Sequence, residues 1–396
     1  MADARQAVIT GVGVLSCLGE GSDAHWQHLI EGKPADGTKT IGPYVVHPIG
    51  AVDFDKQIPK RGDQRQMEPW QRIGTYAAGL ALESGGIKGK PELLAQTDMI
   101  VAAGSGERDL AVDAAIIEGL PKAHNPVAYL NERLMNDLRP TLFLAQLSNL
   151  LAGNISIVHG VTGSSRTFMG EEAAGVDAVR IALARLLAGQ SELALVGGSH
   201  NGERKDLLAQ YDFGGYLLKG AYRPVWERAP EGGFASASLG AFLIIEERAH
   251  AEKRGAKALA QLTAVFSDRY ERKAGGVRES LERMWEKIAP LLDAGHYAVF
   301  SGASGAEPAT GEERAFLAEL GVAVRAPGSY VGHGPEPQFA MNAALATLAL
   351  SHGQLYPPCD RTGVEKDMME KLTQVVVTGV GHWRGEGIAL IEAVQG

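Results

Sequence analysis

Cysteine is scarce: Cys17 and Cys359 are the two in 396 residues, which supplies neither a disulfide framework nor a metal-binding spacing. Long apolar runs are missing as well, and no stretch approaches the roughly 20 residues of a membrane span. No membrane insertion, metal or resident cofactor is expected. Positive charge is in deficit, with 38 Lys and Arg against 47 Asp and Glu for a net charge of -9, so there is no basic footprint for nucleic acid. Lys56, Lys60, Arg61 and Arg65 form one local basic cluster on a polar stretch. It reads first as solvated loop and second as a docking point for an acidic carrier protein. The opening MADARQAVITGVG passes directly into a strand pattern without signal-peptide architecture. A reducing, cytoplasmic setting is expected.

What is present is apolar content of 45%, enough for a large core. The stretch 153–198 concentrates the pattern. It reads as an apolar strand (Ile155 to Val158), a Gly/Ser turn, a second strand (Arg166 to Met169), a long helix and a third strand (Leu193 to Val196). The helix opens at Glu171 or Glu172, and Val176, Val179, Leu183, Leu186 and Leu187 recur at helical spacing before Gly189. A strand that turns into a helix sets the first helical residue in the positive field of unpaired amides. The small residues Ala173, Ala174 and Gly175 behind it leave room for another backbone or a thin ligand. Taken alone, this stretch reads first as a packed helix with two exposed glutamates.

Along the chain, Ala7 to Leu15 is a buried strand and Ser22 to Gly32 a helix closed by glycine. The GVGVLS between them lacks the third glycine and the later acidic residue of a dinucleotide loop. Gln71 to Gly85 reads as an amphipathic helix, and Asp98 to Gly106 as a strand entering a Gly/Ser loop. Asp109 to Asp137 reads as helices of an insertion, His200 to Gly233 as loop, Ala241 to Ile245 as strand. The runs MIVAAGSG and LALVGGSH are echoed by YAVFSGASG and VVVTGVGHW, each a strand closing on glycine. The echo points to a duplicated architecture rather than a short repeat.

The opening VITGVGVLSCLGEG, the stretch 153–198, the text EERAHAEKRGAKA and the pair Gly332-His333 resemble the β-ketoacyl-ACP synthases, condensing enzymes of the thiolase superfamily. The resemblance covers nearly the whole chain. It implies an α/β thiolase-like fold, two similar halves stacked as five layers (αβαβα), divided at 1–247 and 248–396, with the site at their junction. It also implies acyl chains carried on the phosphopantetheine of an acyl carrier protein, and a dimer formed through the strand near Arg166 to Met169.

The family condenses acyl chains with a cysteine, two histidines and a lysine, and lines its pantetheine tunnel with threonines. The resemblance sets Glu172 at the cysteine position and Ser301 at the first histidine, in SGASG where the family has His-Gly-Thr-Ser-Thr. Ala303 and Gly305 stand for the threonines and Gly328 for the lysine, while His333 is the retained second histidine. ASLGA, with Ser238, replaces an acidic Gly-rich stretch. In the segment 379–387 the family's gatekeeping phenylalanine falls on Trp383 or, in another register, Val380.

These substitutions cluster on the reacting centre. A carboxylate attacking a thioester would give a reactive anhydride, and its charge would repel malonate. GEEAAGVDA resembles the helix start of the chain-length factors, relatives that carry glutamine for cysteine and pair with an active synthase. The first expectation is therefore a catalytically degenerate subunit of fatty acid or polyketide synthesis, working as a homodimer or as a heterodimer with a complete synthase. The second is an active 3-oxoacyl-ACP synthase or malonyl-ACP decarboxylase using a non-cysteine site. The third is an acyl-chain or carrier-binding protein without catalysis.

Overall fold

Short apolar runs, several ending on glycine, mark the strands, and ten strands assemble into one long sheet path. The computed structural model describes residues 5–32, 38–140, 142, 146–270 and 272–394. In the N-terminal half the strands of this path are Ala7–Ser16, Asp98–Ala103, Ser165–Met169, Leu193–His200 and Leu239–Glu247. Numbered by their order in the chain, they lie side by side as first, fifth, fourth, second, third. The first two contacts in that row are antiparallel and the last two parallel.

The C-terminal half repeats this arrangement. Its strands Ala260–Asp268, Tyr297–Phe300, Ala323–Arg325, Gln374–Val380 and Glu386–Glu392 take the same order and the same pairing senses. A three-residue antiparallel ladder, Ala7 to Ile9 against Ala260 to Leu262, joins the halves. The sequence echo marks equivalent elements: MIVAAGSG and YAVFSGASG are the second strands of their halves, LALVGGSH and VVVTGVGHW the fourth.

Two helices fill the middle layer. Gln338–His352 is buried from Gln338 through Leu350, and an apolar helix without a polar face belongs in an interior. It packs with Glu172–Leu187 in the largest core cluster, which includes Val176, Val179, Phe339 and Leu345. Pro69–Ser84 and Leu150–His159 cover one outer face, Gly276–Ile288 and Ala309–Leu320 the other. Helix, sheet, helix, sheet, helix is the expected five-layer α/β order. Gly11 and Gly13 let Pro69–Ser84 lie on the first strand, since a Cβ at either would strike the backbone of Ala81 or Ala77.

Two sequence expectations are corrected. Ile155 to Val158 is not a strand but part of the helix Leu150–His159. Its β-branched residues suit a strand, yet Leu151, Ala152 and Ile155 face the core while Ile157 is 71% exposed, a helical division of faces. The stretch after His200 also contains a helix, Lys205–Phe213, whose Leu208 and Tyr211 point inward. The insertion helices are Leu110–Gly119 and Pro126–Asn136.

Candidate active site

The N-terminus of Glu172–Leu187 points at the junction of the halves. Glu172 is 2% exposed in its first turn, where the helix field favours a carboxylate. Two histidines from the C-terminal half meet it. His333 Nε2 lies 2.7 Å from Glu172 Oε1 and His382 Nδ1 lies 2.9 Å from the same oxygen. The backbone N–H of His382 donates to that oxygen as well, at 3.2 Å. Among the described residues, Glu172 Oε2 is buried without a partner, as is His333 Nδ1.

Each histidine is held by its own turn. His333 is fixed by bonds of its backbone to Ala235 and Ala237. The preceding Gly332 has φ +73°, and a Cβ there would meet Ala237 and His47, so glycine is required. His382 sits in the turn between Gln374–Val380 and Glu386–Glu392, closed by Gly381 N–H to Gly385 O at 2.9 Å. The turn sends His382 inward (5% exposed) and Trp383 outward (52%). Tyr211, Tyr216 and Phe234 pack against the His382 ring, and Phe234 also against His333.

Burial would raise the Glu172 carboxyl, but the His382 charge and the hydrogen bonds of both histidines outweigh it and hold it well below the usual carboxylate range. Burial opposes protonation of His382 too, yet the adjacent Glu172 charge raises it. His333 is lowered, because burial is only partly offset by its bond to Glu172. The centre is thus an ion pair, Glu172 with His382, and a neutral His333 donating from Nε2. That proton assignment follows from the hydrogen bonds.

Ser301 is 1% exposed at the end of the strand Tyr297–Phe300. It is linked to the histidine turn by relays rather than directly: Gly334 N–H donates to Gln338, Gln338 to Asn342, and Asn342 to the Ser301 carbonyl. Ser301 Oγ accepts from Ala303 N–H at 3.0 Å. Gly328 is buried against Ala303, whose carbonyl lies 3.3 Å from where a Cβ would start. Gly305 takes φ +98° beside Arg228 and Gly233. Val380 is buried in its strand. Gly175 lets the backbone carbonyl of Glu336 come within 2.5 Å of a would-be Cβ, the close approach expected from the small residues behind Glu172.

Four residues escaped sequence reasoning. His382 is one; its signal was a lone histidine inside GVGHWRGEG. The pair of His200 and Glu336, at 2.9 Å, lines a small enclosed polar cavity with Trp70 and Arg204. Glu313 is buried behind Ser301, accepts from Thr378 Oγ1, and is raised by burial to about 7. Neither cysteine offers a thiolate. Burial pushes Cys17 up to about 12 and Cys359 up to about 11, where thiols are inert at neutral pH.

The chain is 27% identical over 391 residues to "Actinorhodin polyketide putative beta-ketoacyl synthase 2" of Streptomyces coelicolor, covering 91% of this chain and 89% of that one. It is 26% identical over 275 residues to "3-oxoacyl-[acyl-carrier-protein] synthase 2" of Vibrio harveyi, covering 65% of this chain and 61% of that relative, less than two thirds of its length. Among solved structures, "The ishigamide ketosynthase/chain length factor" superposes with a TM-score of 0.79 at 17% identity, covering 99% of this chain and all of that one. A β-ketoacyl synthase from Burkholderia phymatum STM815 matches with the same score, identity and coverage. At such identities the structures speak for the fold. The sequence profile of the β-ketoacyl synthase N-terminal domain matches residues 4–250, and the chain belongs to the β-ketoacyl synthase family.

Proposed function

We propose that this protein is a catalytically degenerate, chain-length-factor-like subunit of fatty acid or polyketide synthesis that pairs with an active ketosynthase. The observation that carries the reading is the engagement of Glu172. Its Oε1 accepts from both histidines and from a backbone amide, so the residue aligned with the family's cysteine is a locked anion rather than a nucleophile. A carboxylate stabilised this far below its usual range is a poor attacking group, and neither cysteine replaces it. Ser301 has no imidazole to polarise a thioester carbonyl, and Tyr211, Tyr216 and Phe234 crowd the His382 ring.

Pairing is supported by the edge of the sheet. Ser165–Met169 ends the strand row with a single strand neighbour, and Met169 is 67% exposed. An open groove beside it is lined by Met99, Ala152, Val161 and Thr167. An unpaired edge of this kind needs cover. An acyl carrier protein as second partner is supported by a groove where Arg61, Arg65 and Arg72 outnumber Asp53 and Asp55. It fits a relative of this fold solved as a type II PKS acyl-carrier protein in complex with its ketosynthase bound to the hexaketide.

The test is product formation from acyl-ACP and malonyl-ACP, with this protein alone and with a complete synthase from the same cell. Product only in the mixture, of a length the synthase alone does not make, supports the subunit reading. Product from this protein alone, lost in Glu172→Ala, overturns it in favour of an independent enzyme.

A further inference from the structure

Glu172, His333 and His382 present three ligand atoms, Glu172 Oε1, His333 Nε2 and His382 Nδ1, all within 4.8 Å of one another, with every one of the three residues buried. We propose that they form a site for a first-row divalent transition ion, of the zinc class, seated at the junction of the two halves.

The donor set suits such an ion: two imidazoles and one carboxylate are ligands for zinc and its neighbours, and leave an open coordination position. The distances suit a contracted, metal-free form. Ligands about 2.0–2.2 Å from a tetrahedral ion stand roughly 3.3–3.5 Å apart. The two contacts to Glu172 Oε1, 2.7 and 2.9 Å, would open by about half an ångström as protons leave and the ion enters. Glu172 Oε2, buried with no partner, gives the carboxylate a second lone-pair face for the ion.

Charge argues the same way. Glu171 stands next to Glu172 at the start of the same helix. Arg384 reaches it only at 3.7 Å, and Arg272 is engaged by Glu386 and the Gly381 carbonyl. The carboxylates of Glu171 and Glu172 thus stand side by side at the junction, while Glu336 is held by His200 at 2.9 Å. A divalent ion replaces the His382 Nδ1 proton and adds one positive charge: Glu172 carboxylate, His382 imidazolium, neutral His333 and M²⁺ give the complex and one released H⁺, with the His333 proton moved from Nε2 to the partnerless Nδ1. Tyr211, Tyr216 and Phe234 supply the apolar shell that keeps competing water out, a usual surrounding for a tightly held metal. The site occupies the position aligned with the family's nucleophile, but ion uptake is independent of pairing or condensation.

The experiment uses the full chain. Protein treated with a chelator and desalted is titrated with Zn²⁺ by calorimetry in two buffers of different ionisation heat, and with Co²⁺ by visible absorption. The expected result is one ion per chain, about one proton released, a rise in melting temperature that EDTA reverses, and a Co²⁺ spectrum of tetrahedral or five-coordinate N/O ligation. His382→Ala and Glu172→Gln should each weaken Zn²⁺ by more than about 100-fold, while the exposed His124→Ala leaves it unchanged. No uptake by wild type overturns the proposal whether or not the variants fold. Uptake that survives in folded His382→Ala and Glu172→Gln overturns it too, by assigning the ion to surface groups.

Discussion

Glu172→Gln removes the charge at the centre of the site and keeps its volume. A glutamine oxygen can receive His333 Nε2, His382 Nδ1 and the His382 amide, which reach Glu172 Oε1 at 2.7, 2.9 and 3.2 Å. Its amide group, however, replaces Oε2, which has no partner. Hydrogen bonds to a charged group contribute about 1.5–3 kcal/mol and neutral ones about 0.5–1.5. Weakening the two side-chain bonds therefore costs about 2–3 kcal/mol, and an unsatisfied buried donor adds about 1–3. The sum, about 3–6 kcal/mol, overlaps the loss of about 3–5 on breaking a buried ion pair. The pH dependence separates this from mere packing. Glu172 lies below its unfolded value of 4.5, so its stabilisation is present above pH 4.5 and lost as pH falls through the folded value. His382 lies above its unfolded value of 6.5, so its stabilisation is present below pH 6.5 and lost as pH rises through the folded value. The pair contributes most between those two pH values. Urea unfolding of metal-free protein, with chelator present, should show the widest gap between wild type and variant at about pH 5.5 and a narrower one at about pH 9. A gap that is flat with pH, or no larger than the about 1 kcal/mol of an exposed pair, refutes the coupling.

Glu313 lies above its unfolded value, at about 7 against 4.5. The folded state holds the extra proton, so stability falls by about 3 kcal/mol from pH 4.5 to pH 7 and is flat above. Glu313→Gln should remove that slope in urea unfolding, and a wild-type slope that persists in the variant contradicts the assignment. Gly13→Ala pushes a Cβ into the backbone of Ala77 and Ala81. It should cost at least the about 1–3 kcal/mol of overpacking and lower the melting temperature; an unchanged melting temperature would mean that Pro69–Ser84 can slide on the first strand. Cys17, with its thiol at about 12 rather than 9.0, should react with iodoacetamide at neutral pH about 1000-fold more slowly than a free thiol. Labelling of the native protein at free-thiol rates would reopen the case for a cysteine nucleophile.

The architecture was legible because each strand run ends where the backbone must turn. Apolar runs closing on glycine mark Asp98–Ala103, Leu193–His200, Tyr297–Phe300 and Gln374–Val380, and their echo between halves reflects equivalent places in two sheets of the same topology. Legibility failed where local preference and burial disagree. Ile155 to Val158 is β-branched and apolar in sequence, but its faces are divided by a helix that covers Pro69–Ser84. Lys205–Phe213 is short and carries two core residues, too few for a periodic signal against the loop-rich text around it.

The site divides along a different line. Glu172 and His333 could be found because each stands in a frame of several residues, a helix start and a Gly-His turn. His382 could not, because its partner is 210 positions away in sequence and 2.9 Å away in space. Such convergence is a property of strand ends from two halves meeting at one junction, and no spacing along the chain encodes it. The missing histidine changes the chemistry of the substitution. A carboxylate alone at a helix N-terminus would be an ordinary favourable charge. Set between two imidazoles in a dry interior, it pairs with one, aligns the other and turns three buried side chains into a cation or proton trap. A carboxylate at this point therefore supplies ionic cohesion across the junction of the halves.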